Sequence, residues 1–118
     1  MIHADVVLHY LVLSGIITVV GVPLAMGKVP PNPMYGFRTK AIQDDPVLWY
    51  PVNVRVGVDL IVSGLGLGIA AWALPRFWAG LSPNLYMGLW TGGAVLVLLL
   101  LLVRGALLLR RLVGVEPS

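Results

Sequence analysis

Few side chains in this 118-residue sequence can do chemistry, and one of them sits where charge is expensive. Asp59 falls inside an apolar stretch, Val54 to Leu74, with Arg55 four positions ahead of it. In water such a pair is a minor helix contact. Within a membrane a charged group usually faces protein or water, which makes Asp59 the strongest site candidate in the chain. Asp5 and His9 have the same spacing, which would suit pH sensing or a metal ion. With two histidines, no cysteine and His3 six positions from His9, the expected reading is solvated helix-end residues and no metal or other cofactor. Ser14, Ser63 and Ser82 have no histidine close enough in sequence or depth to act as base, and no glycine-rich phosphate loop follows a strand. The expectation is a protein that binds rather than an enzyme.

The elements that position these residues follow from composition. Hydrophobic residues make up 58% of the chain and charged ones 11%, which excludes a water-facing globule and a disordered chain. A helix needs about 20 apolar residues to cross the hydrocarbon core. Three stretches reach that length: Val6 to Met26, Val54 to Leu74 and Leu85 to Val103. The predicted fold is all-α, a single three-helix membrane domain over residues 1–118 with a polar, Pro-rich loop at 28–51. Only a short turn around Pro75 and Ser82-Pro83-Asn84 joins the last two spans, so these should form an antiparallel hairpin, with Ser82 or Asn84 as cap.

Sidedness is read from basic residues. Lys28, Arg38 and Lys40 lie in the first loop and Arg104, Arg110 and Arg111 at the carboxyl end, against Arg76 alone in the second loop. The first loop and carboxyl end are therefore expected in the cytoplasm and the amino terminus outside. Met1 to Asp5 carries no Lys or Arg, unlike the positive region of a cleaved signal, so the first apolar segment should be retained. The net charge of +3 is not gathered into a stripe, which suits lipid headgroups and argues against nucleic acid. Arg104 to Val113 should prolong the third span into the headgroup zone without forming a further domain.

Helix contacts in lipid rely on small residues. Gly64 and Gly68 on the second span and Gly88 and Gly92 on the third have matching spacing, and a hairpin would set Gly64 against Gly92 and Gly68 against Gly88. Trp72, Trp78, Tyr86 and Trp90 read as an outer aromatic belt, Trp49 and Tyr50 as the inner one.

The loop holds the densest pattern: Asn32-Pro33-Met34-Tyr35-Gly36-Phe37-Arg38-Thr39, the acidic pair Asp44-Asp45, then Trp49, Asn53 and Gly57. Pro33 and Gly36 suggest a turn in which Gly36 takes positive φ. Asp45 before Pro46 reads as a helix N-cap with proline at the first position, starting a short helix that bends at Pro51. Trp49, Asn53 and Gly57 are four apart and should face the protein interior.

This order, Asn32-Pro33-x-Tyr35-Gly36-x-Arg38-Thr39 and then Trp49-x-x-x-Asn53-x-x-x-Gly57 entering a span, resembles the SdpI family, named for an immunity protein against a secreted toxin. The resemblance covers Asn32 to Gly57 and, more loosely, the two spans that follow. It implies a small helical protein of the bacterial cytoplasmic membrane that protects the cell from a membrane-active peptide toxin. In the name-giving case it also implies signal transduction, by holding a repressor at the membrane. Two departures stand out: Val54 follows the Asn where the family often has a basic residue, with Arg55 one later, and the chain forms a single three-helix unit shorter than the named member.

The functional expectation joins Asp59, Arg55, Asn53, Arg38 and Tyr35 in one buried polar cluster at the cytoplasmic mouth, with Arg104 as a further candidate. Two readings of the cluster stay open, a ligand or partner site and a structural latch whose groups satisfy one another. Beside immunity or sensing stands an alternative, an accessory subunit whose helices pack against a larger membrane complex. A monomer or homo-oligomer fits the first reading, and a stable co-purifying complex fits the second. A small-solute carrier is disfavoured, since three spans enclose no pathway unless several copies assemble.

Overall fold

The computed structural model describes residues 2–43 and 45–115, so Asp44 of the acidic pair lies outside the described residues. The elements are α1 (Ala4–Ala25), α2 (Lys40–Gln43), α3 (Pro46–Phe77) and α4 (Pro83–Val115), with no strand among the described residues. Three of them, α1, α3 and α4, are long and apolar enough to cross a membrane, as the apolar stretches predict. The molecule is a rod of 59 × 23 × 19 Å. The 32 residues of α3 and 33 of α4 each reach roughly 50 Å by helical rise, well past a hydrocarbon core of about 30 Å.

Local chemistry sets the helix ends. The Asp45 carboxylate accepts a hydrogen bond from the Val47 amide at 3.0 Å, with Pro46 behind it, as a capping pair should. The helix that starts there continues through Pro51 into the long apolar stretch without a break. Pro51 stands near the start of α3, and the carbonyl its missing N–H leaves open is that of the exposed Val47. Ser82 caps α4, its hydroxyl accepting from the Leu85 amide at 3.1 Å. The segment after Arg104 stays helical to Val115.

Packing is organised around α3, and α1 covers it more extensively than α4 does. Here the glycine expectation needs correction. A Cβ at Gly64 would overlap Thr18 Oγ1 and lie 2.7 Å from the Thr18 amide, and one at Gly68 would meet Ser14 at 3.5 Å, whereas Gly88 and Gly92 face open space. The glycines of α3 thus serve the α1 contact. Gly57 and Gly21 belong to the same seam, each built-on Cβ falling within 2.7 Å of the other's carbonyl oxygen. Contact with α4 is made by large side chains instead, which is why Gly88 and Gly92 have nothing to approach.

Those side chains form one of two cores. Tyr10, Leu67, Ala71, Tyr86 and Trp90 are buried together near one end of the rod. Tyr10 tilts against Trp90 at 4.5 Å between ring centroids and meets Tyr86 edge-on at 5.6 Å. Tyr86 and Trp90 are therefore core residues, not belt residues, while Trp72 and Trp78 remain exposed. Pro75 explains the Tyr86 position. Proline at 75 cannot donate to the Ala71 carbonyl, and the Tyr86 hydroxyl donates to that oxygen at 2.8 Å. Trp90 Nε1 donates to the Leu67 carbonyl at 3.0 Å one turn earlier. The second core, Ile42, Leu48, Trp49 and Val52, lies at the opposite end.

Candidate functional site

The second core is roofed by the strip between α1 and α2. Gly27, at φ 69°, ends α1, with the Lys28 amide donating back to the Pro23 carbonyl at 3.0 Å. Asn32 then folds the strip on itself. Its Oδ1 accepts from the Met34 and Tyr35 amides at 2.8 and 2.6 Å, and its Nδ2 donates to the carbonyls of Pro30 and Tyr35 at 2.8 and 3.1 Å. All of this is local turn chemistry. The Tyr35 hydroxyl donates to the Val20 carbonyl on α1, which ties the turn to the first span.

Asn53 makes the principal attachment to α3. Its Oδ1 accepts the Phe37 amide at 2.5 Å while its Nδ2 donates to the Phe37 carbonyl at 3.1 Å and to the Trp49 carbonyl at 3.1 Å. One carboxamide thus satisfies both main-chain groups of a single loop residue. Gly36 permits the approach: it takes φ 104°, and a Cβ there would fall 2.6 Å from Asn53 Oδ1. Trp49 Nε1 adds a bond to the Val29 carbonyl at 2.7 Å. Trp49, Asn53 and Gly57 are all buried, on one face as their spacing predicts. Phe37 completes the closure from the strip's side, its ring lying against Gly105 of α4, where a Cβ would come within 2.8 Å.

Charge takes no part in this attachment. Asp59 is buried in α3, with Arg55 Nε at 3.8 Å from one carboxylate oxygen and Arg104 Nε at 3.4 Å from the other. Both guanidinium side chains are about half exposed, 55% and 53%, so each pair is solvent-screened and weak by itself. Arg38 lies elsewhere: exposed, it donates to the Pro33 carbonyl within its own turn. The single polar cluster of the sequence reading is therefore two sets, an amide latch (Asn32, Tyr35, Gly36, Trp49, Asn53) and an ion triad (Arg55, Asp59, Arg104). Arg38 belongs to neither. The reason is reach: Asn53 is spent on the Phe37 peptide, and Arg104 occupies the free side of Asp59.

Other candidates stay apart from both sets. Thr39 begins α2 through its carbonyl, which accepts from Ile42 and Gln43, while its half-buried residue keeps a hydroxyl oxygen with no hydrogen-bond partner among the described residues. Asp5 and His9 are both exposed at the start of α1. Sequence reading overlooked Phe37, Gly105 and Gly21. The signals were faint: a lone glycine in the Leu-rich third span, and Ser14, Thr18 and Gly21 recurring on one face of α1.

Beside the Asn53–Phe37 bonds, this end of the molecule holds an apolar groove of about 480 Å³ bounded by Leu24, Tyr35, Phe37, Leu60 and Leu101. Compared with models of protein families, with curated proteins and with solved structures, the chain gives no match.

Proposed function

We propose that the chain is a non-enzymatic multi-pass membrane protein that provides immunity toward, or sensing of, a membrane-active peptide toxin, as its resemblance to the SdpI family implies. The strip between α1 and α2 is the part that changes state. The observation carrying this reading is the grip of Asn53 on Phe37. A strip held by exchangeable amide bonds can be released while the tight α1–α3 seam stays intact.

In this reading α3 and α4 form an antiparallel hairpin, supported by the pairs Ala71 with Tyr86, Leu67 with Trp90 and Asp59 with Arg104, whose numbers fall along one helix as they rise along the other. The strip faces the cytoplasm of a bacterial inner membrane, supported by Lys28, Arg38, Arg104, Arg110 and Arg111 at that end against Arg76 at the other. An apolar segment of the toxin entering the groove displaces Tyr35 and Phe37, whose rings line it, and pulls the Phe37 peptide from Asn53. The freed strip is then available to a partner.

The test is expression in a strain killed by such a peptide. Wild-type protein should protect, and Asn53→Leu at equal membrane abundance should not. Absence of protection by abundant wild-type protein would count against immunity.

A further inference from the structure

The far flank of the α3–α4 contact carries a second groove, of about 540 Å³, to which the strip contributes no residue. Its lining is of two kinds. Arg55, Arg104 and Arg111 supply three guanidinium groups, and Pro51, Val54, Val58, Leu107 and Leu108 supply apolar surface. Asp59 is the one carboxylate within ion-pair distance of these arginines among the described residues, and it is shared between Arg55 and Arg104. The groove therefore keeps about two uncompensated positive charges beside a wall that repels water.

Depth narrows the occupant. Arg55 and Arg76 are 21 residues apart on α3, and so are Pro83 and Arg104 on α4. By helical rise each interval is roughly 32 Å, close to the thickness of a hydrocarbon core. Arg55 and Arg104 thus lie at the level where lipid phosphates lie. Toward the bilayer centre from the groove, Val62 and Leu65 of α3 and Leu100 of α4 are exposed and apolar. On α3 these continue the face of Arg55 and Val58 at helical spacing.

We infer that this groove binds an anionic phospholipid, its phosphate among Arg55, Arg104 and Arg111 and its acyl chains along Val58 and Val62. Guanidinium forks suit phosphate oxygens, and basic recesses between membrane helices are where acidic headgroups are held. The inference is independent of the toxin reading and of which leaflet the groove faces.

The test is purification of the full chain from bilayers of mixed phosphatidylglycerol and phosphatidylcholine, with retained lipid counted by native mass spectrometry. Wild-type protein should retain phosphatidylglycerol preferentially. Arg111→Gln should weaken that preference about fivefold, the worth of one arginine near a charged headgroup. Arg111→Lys should restore part of it, and Arg76→Gln at the far end should change nothing. Arg104→Gln also disturbs the Asp59 pairing, so Arg111, which needs no such partner exchange, decides the question. Equal retention of both lipids, or unchanged preference in Arg111→Gln, overturns the inference. So does displacement of the bound lipid by inorganic phosphate alone, which would mark a simple anion site, or a lipid-free homodimer that closes the groove.

Discussion

At the scale of single residues, the most consequential group is the Asn53 carboxamide. It replaces water for both polar groups of the Phe37 peptide, and each buried hydrogen bond of this kind contributes about 1 kcal/mol, more when its loss strands a partner. Asn53→Leu should therefore release the strip by about 2 to 3 kcal/mol, a rise of roughly 30- to 150-fold in the open population. The chain has no cysteine, so a single Ile42→Cys reports on opening without background. Ile42 is fully buried beneath the strip. Its maleimide labelling should be slow alone and at least tenfold faster when combined with Asn53→Leu, given the roughly 30-fold change in population. Equal labelling rates would refute the latch. Gly36→Ala should act in the same direction, because it imposes a strained φ and presses a methyl group into the Asn53 oxygen. Much of this was legible from the sequence: Asn53 and Trp49 read as interior residues from their spacing, and Gly36 as a turn of positive φ, whereas the belt position also expected of Trp49 gives way to its complete burial. Arg38 was misread. Its charge invited pairing with Asp59, but charge type does not tell how far a side chain in a folded-back turn can reach.

At the scale of elements, the bundle depends on two different devices, one on each side of α3. Toward α1 it is close backbone approach. Gly57→Ala should disrupt the seam, since the added carbon would overlap Ala25 and lie 2.7 Å from the Gly21 carbonyl oxygen. A loss of about 2 kcal/mol, within the range for overpacking a tight core, is expected in steric-trap or denaturant unfolding. Gly92→Ala, with nothing near it, should be neutral or slightly stabilising because alanine favours the helix by up to about 1 kcal/mol. Were Gly92→Ala the more damaging of the two, the seam would be wrongly placed. Toward α4 the device is repair of a proline gap. Removing the Tyr86 hydroxyl by Tyr86→Phe strands the Ala71 carbonyl in a setting where no water can replace the donor, and about 1 to 3 kcal/mol should be lost with ring packing unchanged. The same unfolding assay reads it. Span number and approximate ends came directly from hydropathy. Partner choice did not, because four-residue glycine spacing marks a face suited to close approach without saying which helix will occupy it.

At the scale of the whole molecule, the three long apolar helices make a rod whose ends differ. One end carries the aromatic core, exposed Trp72 and Trp78 and a single arginine, Arg76, stacked 4.8 Å over the Trp72 ring. The other carries the strip, the ion triad and the arginines of the α4 extension. That extension has a structural purpose beyond the membrane surface. Leu108, Leu109 and Leu112 pack against the core of Trp49 and Ile42, so the last turns of α4 brace the same end that the strip closes. On the proposed topology this asymmetry of charge would set sidedness, since moving a cluster of arginines across a bilayer is far more costly than leaving it behind. Met34 is 85% exposed on the strip and Ser82 is exposed on the turn before α4, so single cysteines at these two positions sample the two ends. With a membrane-impermeant maleimide, Met34→Cys should label in inverted vesicles and remain protected in intact cells. Ser82→Cys should do the reverse. Labelling of both positions from one side would mean that the three helices do not all cross the bilayer. The opposite pattern would leave the bundle intact but turn it over, placing the strip where a secreted peptide meets it directly and making it the point of first contact rather than the relay.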